Sequence, residues 1–489
     1  MDEIREDPGP TVSPDTRHPH TRNRTAPWIR ASPPGLAGVT PWTVAVRQVR
    51  GSFAVAVLAM VVGTVAGRPL GVSAQLPEVP TLQELGVEYV SEAGFTQILL
   101  SGQLDVEGFY VSNSWQPTTV EPDRCDACHI DVARELRQGD GGNHLERLRL
   151  FADIFVGDHV YALVELRGDR GRERFDADLR GRLEQVFLRL TTGSGREGIQ
   201  VGRFASPFGS YADRHLGVLD PFVRPPLAYD YRTVMNRWRW PGSEAGFLTW
   251  KDQPEDIDIP GAPPVWDVPY QWGGMAFGRL GSVDVRAAAM NSAPSSHPNA
   301  WDFSSESLRR PSLVLAARWA VRPGIELGAS YDRGPWLALN DPAVTVTPPN
   351  GPAGPAPADR QAFDQEMVSL DLSVARGPMM LRAEVIRDRW EVPNLEATPA
   401  SISASVEVQT DLVAGVFIAA RAGAIDFRAI DDGAAGREDW DYDVQRYEGS
   451  LGYRISRRVG LLASVYRQRQ SVLEEGDTDF AGVRMWWLF

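Results

Sequence analysis

The last eleven residues, Asp479–Phe489 (DFAGVRMWWLF), constrain the fold of this 489-residue chain more than any other stretch. Ala481, Val483, Met485, Trp487 and Phe489 recur at every second position and form one apolar face, whereas Gly482 and Arg484 fall on the other. A strand of this length, apolar on one side and aromatic at its end, has the reach a tilted strand needs to cross a bilayer.

The same period returns upstream. In Phe95–Ser112, Ile98, Leu100, Leu104 and Val106 alternate with Gln97, Ser101, Gln103, Asp105 and Glu107, so one face suits lipid or core and the other suits water. In His144–Val156, Leu148, Leu150, Ala152, Ile154 and Val156 oppose Arg147, Arg149 and Asp153, and a tight Gly157–His159 turn leads into Tyr161–Leu166. Further strands are expected at 183–192, 198–205, 270–280, 282–291, 309–321, 325–333, 363–375, 378–390, 406–420, 422–430, 442–455, 459–470 and 478–489. That makes sixteen, an even number, as a closed bacterial barrel requires. Short connections (157–159, 281, 322–324, 377, 456–458) alternate with long polar ones (113–143, 206–269, 292–308, 334–362, 431–441). This rhythm is that of an all-β, transmembrane antiparallel β-barrel with short periplasmic turns and long external loops. A soluble sandwich has no reason to alternate so, and no blade-length repeat suggests a propeller. Residues 237–250 leave open an added strand or a hairpin inside the longest loop.

Only one apolar run is present, Phe53–Ala66, too short for a comfortable helical span. Arg47 and Arg50 precede it and Val72–Ala74 follows, so 47–74 reads as a signal peptide cleaved after Ala74. Residues 1–46 read as a disordered extension or a start site placed too early, 75–94 as a periplasmic N-terminal segment, and 95–489 as the barrel, in the bacterial outer membrane. The formal net charge is −14, and residues 1–74 hold eight Arg against five acids, so the exported part is more acidic still. An acidic surface argues against nucleic acid as a partner. Outer-membrane lipid and the barrel-insertion machinery are the partners expected.

If the apolar faces meet lipid, the opposite faces line the interior. That set holds Asp105, Glu107, Arg147, Arg149, Asp153, Arg189, Asp284, Arg286, Arg318, Asp371, Arg382, Glu384, Arg446, Glu448 and Arg454. Sixteen strands around a wall of mixed sign leave an aqueous channel, whereas about eight would be filled by side chains. Some of these charges could instead pair across neighbouring strands. The longest connection, 206–269, carries Arg214, Arg224, Arg232, Arg237 and Arg239 beside Asp213, Asp220 and Asp230, stiffened by Pro207, Pro221, Pro225 and Pro226.

Three stretches, Val201–Gly209 (VGRFASPFG), Gly273–Gly278 (GGMAFG) and Ala289–Asn291 (AMN), resemble porins of the phosphate-selective O/P type. The ending at Trp487 and Phe489 resembles the assembly signal of bacterial outer-membrane barrels. The resemblance implies a passive pore, a homotrimer, and a third external loop folded into the lumen, the place that 206–269 occupies. Such a loop would set the width and field of the pore; packing at the rim or in a subunit contact is the alternative. Family members that select phosphate use clustered basic residues, lysines prominent among them, and this chain has the single Lys251. The expected function is therefore passive diffusion of small hydrophilic solutes or ions.

Cys125 and Cys128 are the only cysteines and stand in C-x-x-C-H with His129. This pattern attaches c-type haem through two thiols with the imidazole on iron, and His144 could be a second ligand; an external disulfide is the alternative. No cofactor is expected with a disulfide; haem c at these residues would mean an electron-transfer barrel, and a plugged structural barrel is a third reading. No metal site or catalytic residue is expected, since neither a G-x-S-x-G elbow nor a Walker loop is found.

Overall fold

The computed structural model describes residues 86–91, 95–112, 141–170, 180–236, 240–252, 261–298, 301–337, 359–433, 436–470 and 477–489. Sixteen strands close a barrel: β2 (Thr96–Val111), β3 (Gly141–Val156), β4 (Val160–Arg170), β5 (Arg180–Thr191), β6 (Gly198–Ala205), β7 (Tyr270–Leu280), β8 (Val283–Met290), β9 (Ser312–Arg322), β10 (Ile325–Pro335), β11 (Asp364–Arg376), β12 (Met379–Trp390), β13 (Ala400–Val413), β14 (Val416–Phe427), β17 (Val444–Arg454), β18 (Val459–Gln470) and β19 (Thr478–Leu488). Each pairs antiparallel with the next, and β19 returns to β2. A short strand β1 (Val87–Val90) also pairs with β2, while β15 (Ala429–Asp431) and β16 (Arg437–Asp439) form a separate ribbon. The fold class read from the sequence is the observed one.

Alternation decides which way each side chain points. Along β19, Phe480, Gly482, Arg484, Trp486 and Leu488 are buried, while Ala481, Val483, Met485 and Trp487 are exposed. Leu100, Leu150, Leu188, Ile199, Leu313, Leu315, Leu370, Val385 and Val465 are likewise exposed on other parts of the wall. An apolar belt of this extent is stable only against hydrocarbon.

The seam is built at the C-terminus. Phe480–Leu488 pairs with Gln103–Val111, and Phe489 exchanges both backbone hydrogen bonds with Gly102, at 2.7 and 3.0 Å. The Phe489 ring lies where a side chain at 102 would stand, with ring atoms 2.5 Å from an ideal Cβ. Below that point β1 pairs with Gln97–Leu100 of β2, so the lower edge of β2 is also covered.

The largest discrepancy with the sequence concerns two strands. The pattern placed them at 406–420 and 422–430 with a turn at Arg421, but the turn lies at Gly415, whose φ of +79° suits glycine. Arg421 is interior to β14. A run of small residues on both sides of it, Ala419 to Gly423, hides the period. Residues 240–252 form no strand either; Ser243 caps a short helix, Glu244–Leu248. Residues 1–85 lie outside the described residues, and with them the expected signal peptide and its cleavage after Ala74.

Gly102→Leu is expected to displace the Phe489 ring and weaken the seam by about 1–3 kcal/mol. Gly108→Leu on the same face, where the nearest atom to a new Cβ is Val483 Cγ2 at 3.8 Å, is expected to be neutral. Urea unfolding of the refolded barrel, followed by heat-modifiable gel migration, compares the two, and equal midpoints would refute the seam role. Deleting Phe489 is expected to impair insertion in the same assay.

Candidate functional site

The connection between β6 and β7 lies inside the barrel. Its ends are tied by Ser206 N donating to Pro269 O at 2.9 Å, and Phe208, Phe222, Tyr229 and Phe247 within it are fully buried. Pro221, Pro225 and Pro226 cannot donate to a ladder, so this part of the chain is kept out of the sheet with its carbonyls free to accept.

Three wall arginines use those carbonyls. Arg484 of β19 donates to Phe222 O at 3.0 Å and Val223 O at 2.6 Å, Arg421 of β14 to Arg224 O at 2.6 Å, and Arg446 of β17 to Pro225 O at 3.4 Å. Each guanidinium also meets an acid: Arg484 with Glu107 at 2.8 Å, Arg421 with Glu448 at 2.8 Å, and Arg446 with Asp230 at 2.8 Å. All three are nearly fully buried, so each needs both kinds of partner to offset the loss of water. The Arg421 guanidinium also stacks over the Phe222 ring, 4.2 Å from its centroid.

The rest of the loop is held in the same manner. Gly209 N donates to Ser330 Oγ at 2.9 Å, and Ser210 N and the Tyr229 hydroxyl both donate to Glu384, at 2.8 and 3.0 Å. Arg214 shares Glu407 with Arg382, Asp213 meets Arg318 at 2.9 Å, and Arg224 meets Asp230 at 3.0 Å. Asp220 accepts from the Tyr211 hydroxyl and Phe222 N, and Arg232 lies over the Trp266 ring at 4.1 Å. His215 Nδ1 donates to Ala212 O at 2.6 Å, which leaves Nε2 to accept from the Tyr270 hydroxyl at 2.9 Å. Burial, reinforced by Arg149, holds the His215 pKa down at about 4.

The wall beside His215 is a buried arginine network. Arg149 pairs with Glu165 at 2.6 Å, Arg147 with Asp169 at 3.1 Å, and Arg167 with Asp169 and Glu184 at 2.7 and 3.2 Å, while Arg182 also meets Glu184. Asp105 accepts from Gln103 at 2.8 Å, and Asp153 from the Tyr161 hydroxyl at 2.6 Å. The sequence left Asp105, Arg147, Arg149 and Asp153 either facing water or paired across neighbouring strands; in this half of the lumen each has a partner and is buried.

The two ends of the lumen differ. At the long-loop end Leu227, Tyr231, Met235, Phe247 and Trp250 of the loop pack with Trp336, Trp390, Phe427 and Trp440 in one apolar cluster. Trp440 touches the rings of Phe427, Trp390 and Phe247. At the short-turn end the inward groups Arg189, Asp284, Arg286, Arg318, Asp371, Arg382 and Arg454 are only half-buried. Here a charged vestibule remains.

The expected interior set thus faces inward, and most of it meets the loop or a neighbouring strand. Missed were Glu165, Arg167, Asp169, Arg182, Glu184, Glu407 and Arg421, together with the tryptophans of the cluster. Arg167 and Asp169 lie past Leu166, where the sequence pattern stopped β4, and Arg182 precedes the residue at which it began β5; their inward alternation was the available signal. Cys125, Cys128 and His129 lie outside the described residues. Trp487 is exposed on the outer face, with its ring 5.5 Å from that of Phe489.

Arg484→Ala is expected to cost about 3–5 kcal/mol, because Glu107 and two carbonyls lose their donor in a buried place. Arg484→Ala with Glu107→Gln should recover part of that loss, and urea midpoints for the full cycle measure it; strictly additive losses would refute the pairing. The contribution of His215 should be complete above its unfolded pKa of about 6.5, decline as pH falls, and be gone below about 4. His215→Gln should flatten that part of the pH profile of the urea midpoint.

No family model and no curated protein matches the chain. Among solved structures it is similar to an anion-selective porin from Comamonas acidovorans, with 10% identity, a TM-score of 0.48, and 81% of this chain and 100% of that one covered. It is also similar to the outer membrane channel DcaP of Acinetobacter baumannii, with 12% identity, a TM-score of 0.48, and 82% and 99% covered. A third likeness is to Pseudomonas putida OprB, with 13% identity, a TM-score of 0.47, and 80% and 94% covered. None of these likenesses assigns a role to a residue.

Proposed function

We propose that the protein is a diffusion channel of the bacterial outer membrane, passing small hydrophilic solutes or ions past a loop folded into its lumen. The observation that carries this reading is the vestibule: half-buried charges of both signs line the short-turn end inside a sixteen-stranded wall, which is wider than its own side chains fill. In this reading the short turns are periplasmic, the loop is the constriction, Arg214, Arg224, Arg232, Asp213, Asp220 and Asp230 fix its position, and the chain assembles as a homotrimer. Phosphate selection is not part of the proposal, because most of the interior arginines are matched by acids.

The apolar cluster at the long-loop end favours a second reading, a plugged structural barrel. Planar-bilayer recording separates the two. A channel gives ohmic steps from the wild type and larger steps from Arg421→Ala or Arg484→Ala, whose loop is released on one side. A protein silent in all three forms would refute the channel. Haem at Cys125, Cys128 and His129 is tested separately: a c-type spectrum that survives denaturation and is lost in Cys125→Ala would add electron transfer, and its absence after expression with the attachment machinery would leave the disulfide.

A further inference from the structure

Several arginines stand on the outer face of the wall at its long-loop end. Arg467 of β18 meets Asp477 at 2.6 Å, and Arg333 of β10 meets Asp364 at 3.0 Å. Arg387 of β12 differs: it is exposed, and it makes no hydrogen bond or ion pair with another described residue. Arg389, two residues further on the same face, has only a loose contact with Glu366 at 3.7 Å.

The depth of Arg387 follows from its strand. Met379, Leu381, Ala383 and Val385 are the outward positions of β12 on its short-turn side, and all are apolar. From Met379 to Arg387 a strand tilted by about 40° climbs roughly 20 Å at about 3.3 Å per residue, whereas the apolar band of such a barrel is about 25 Å tall. Arg387 thus lies at the margin of the hydrocarbon, with Val368 and Ile402 beside it in register on the two neighbouring strands. An arginine at this depth extends its long stem toward the headgroups, where its charge is hydrated or paired. Arg389 stands about 7 Å further along the same strand face, so both guanidiniums reach one layer.

We propose that Arg387 and Arg389 hold the phosphate of an anionic lipid in the leaflet at the long-loop end. A guanidinium donates two parallel hydrogen bonds to phosphate oxygens, and a second one beside it adds to the attraction. A lipid brings its phosphate to this depth while its chains lie against Val385 and Val368; a dissolved anion has no such apolar anchor. Two acids stand nearby, and neither takes Arg387: Glu366 is opposite Arg389 in register, and Asp426, beyond Ile402, lies 3.8 Å from Arg428. The site goes beyond the channel reading and does not depend on conduction.

Native mass spectrometry of the purified barrel in detergent, titrated with dioleoyl phosphatidic acid or with dioleoyl phosphatidylcholine, tests the site. The wild type should retain a phosphatidic acid adduct at lipid levels that leave no phosphatidylcholine adduct. Arg387→Gln should weaken that adduct about fivefold or more, and Arg389→Gln less, since Glu366 already shares its guanidinium. Arg467→Gln removes an arginine that Asp477 already holds and should leave the adduct unchanged. Heat-modifiable migration checks that each variant is folded. Equal retention of the two lipids, or equal affinity of the wild type and Arg387→Gln for phosphatidic acid, would overturn the proposal. So would an equal loss in Arg467→Gln, which marks a general attraction, or displacement of the lipid by inorganic phosphate, which marks a free-anion site.

Discussion

A buried guanidinium cannot shed its charge, and this constraint shapes the interior of the barrel. Arg421, Arg446 and Arg484 stand on inward positions of three strands and are cut off from water, so each must find anions and acceptors nearby. The acids come from β2, from β17 and from the loop itself. The acceptors come from residues 222–225, whose neighbouring prolines deny that segment a place in any ladder. Wall and loop therefore complete each other: without the loop the arginines lack acceptors, and without the arginines the loop carbonyls are orphaned.

The same logic separates the two ends of the lumen. Where the loop reaches the long-loop end it carries aromatic and aliphatic residues, and these meet tryptophans from the tops of the wall, which need no charge to hold them. Where the loop covers less of the wall, at the short-turn end, inward arginines and acids keep part of their hydration and lie half-exposed. One segment thus produces a dry half and a wet half inside a continuous wall. Opening a path through the dry half would require moving aromatic side chains, whereas breaking the latch that Arg421, Arg446 and Arg484 form on the loop carbonyls would require exposing paired charges to water, where they are solvated again.

The barrel was legible because lipid imposes a strict rule: every second residue of a crossing strand must be apolar, and the connections must alternate in length. The bounds of β6, β7 and β18 agree with the sequence pattern to the residue. The rule fails where side chains are small. In 419–423 alanine and glycine occupy both faces, so Arg421 seemed to sit at a turn when it is a central part of the latch. It fails also at strand ends, as around Arg167 and Asp169, where Gly168 and Arg170 stand in place of apolar residues on the other face. The folding of the loop into the lumen left a trace in its proline spacing and mixed charges, but Arg421, Arg446 and Arg484, which hold its carbonyls, lie 197 to 262 residues further on, and no local pattern announces a contact of that separation.

Pairing within the wall also decides where discrimination can arise. Opposite charges a few ångströms apart cancel over distances shorter than the screening length of about 8–10 Å at ordinary ionic strength. A solute in the vestibule therefore meets little net field from Arg318 with Asp213 or from Arg279 with Asp284. The overall charge of −14 governs encounter with the surface rather than passage. What a solute can feel at close range is a group left without a partner, set in a gap that admits it.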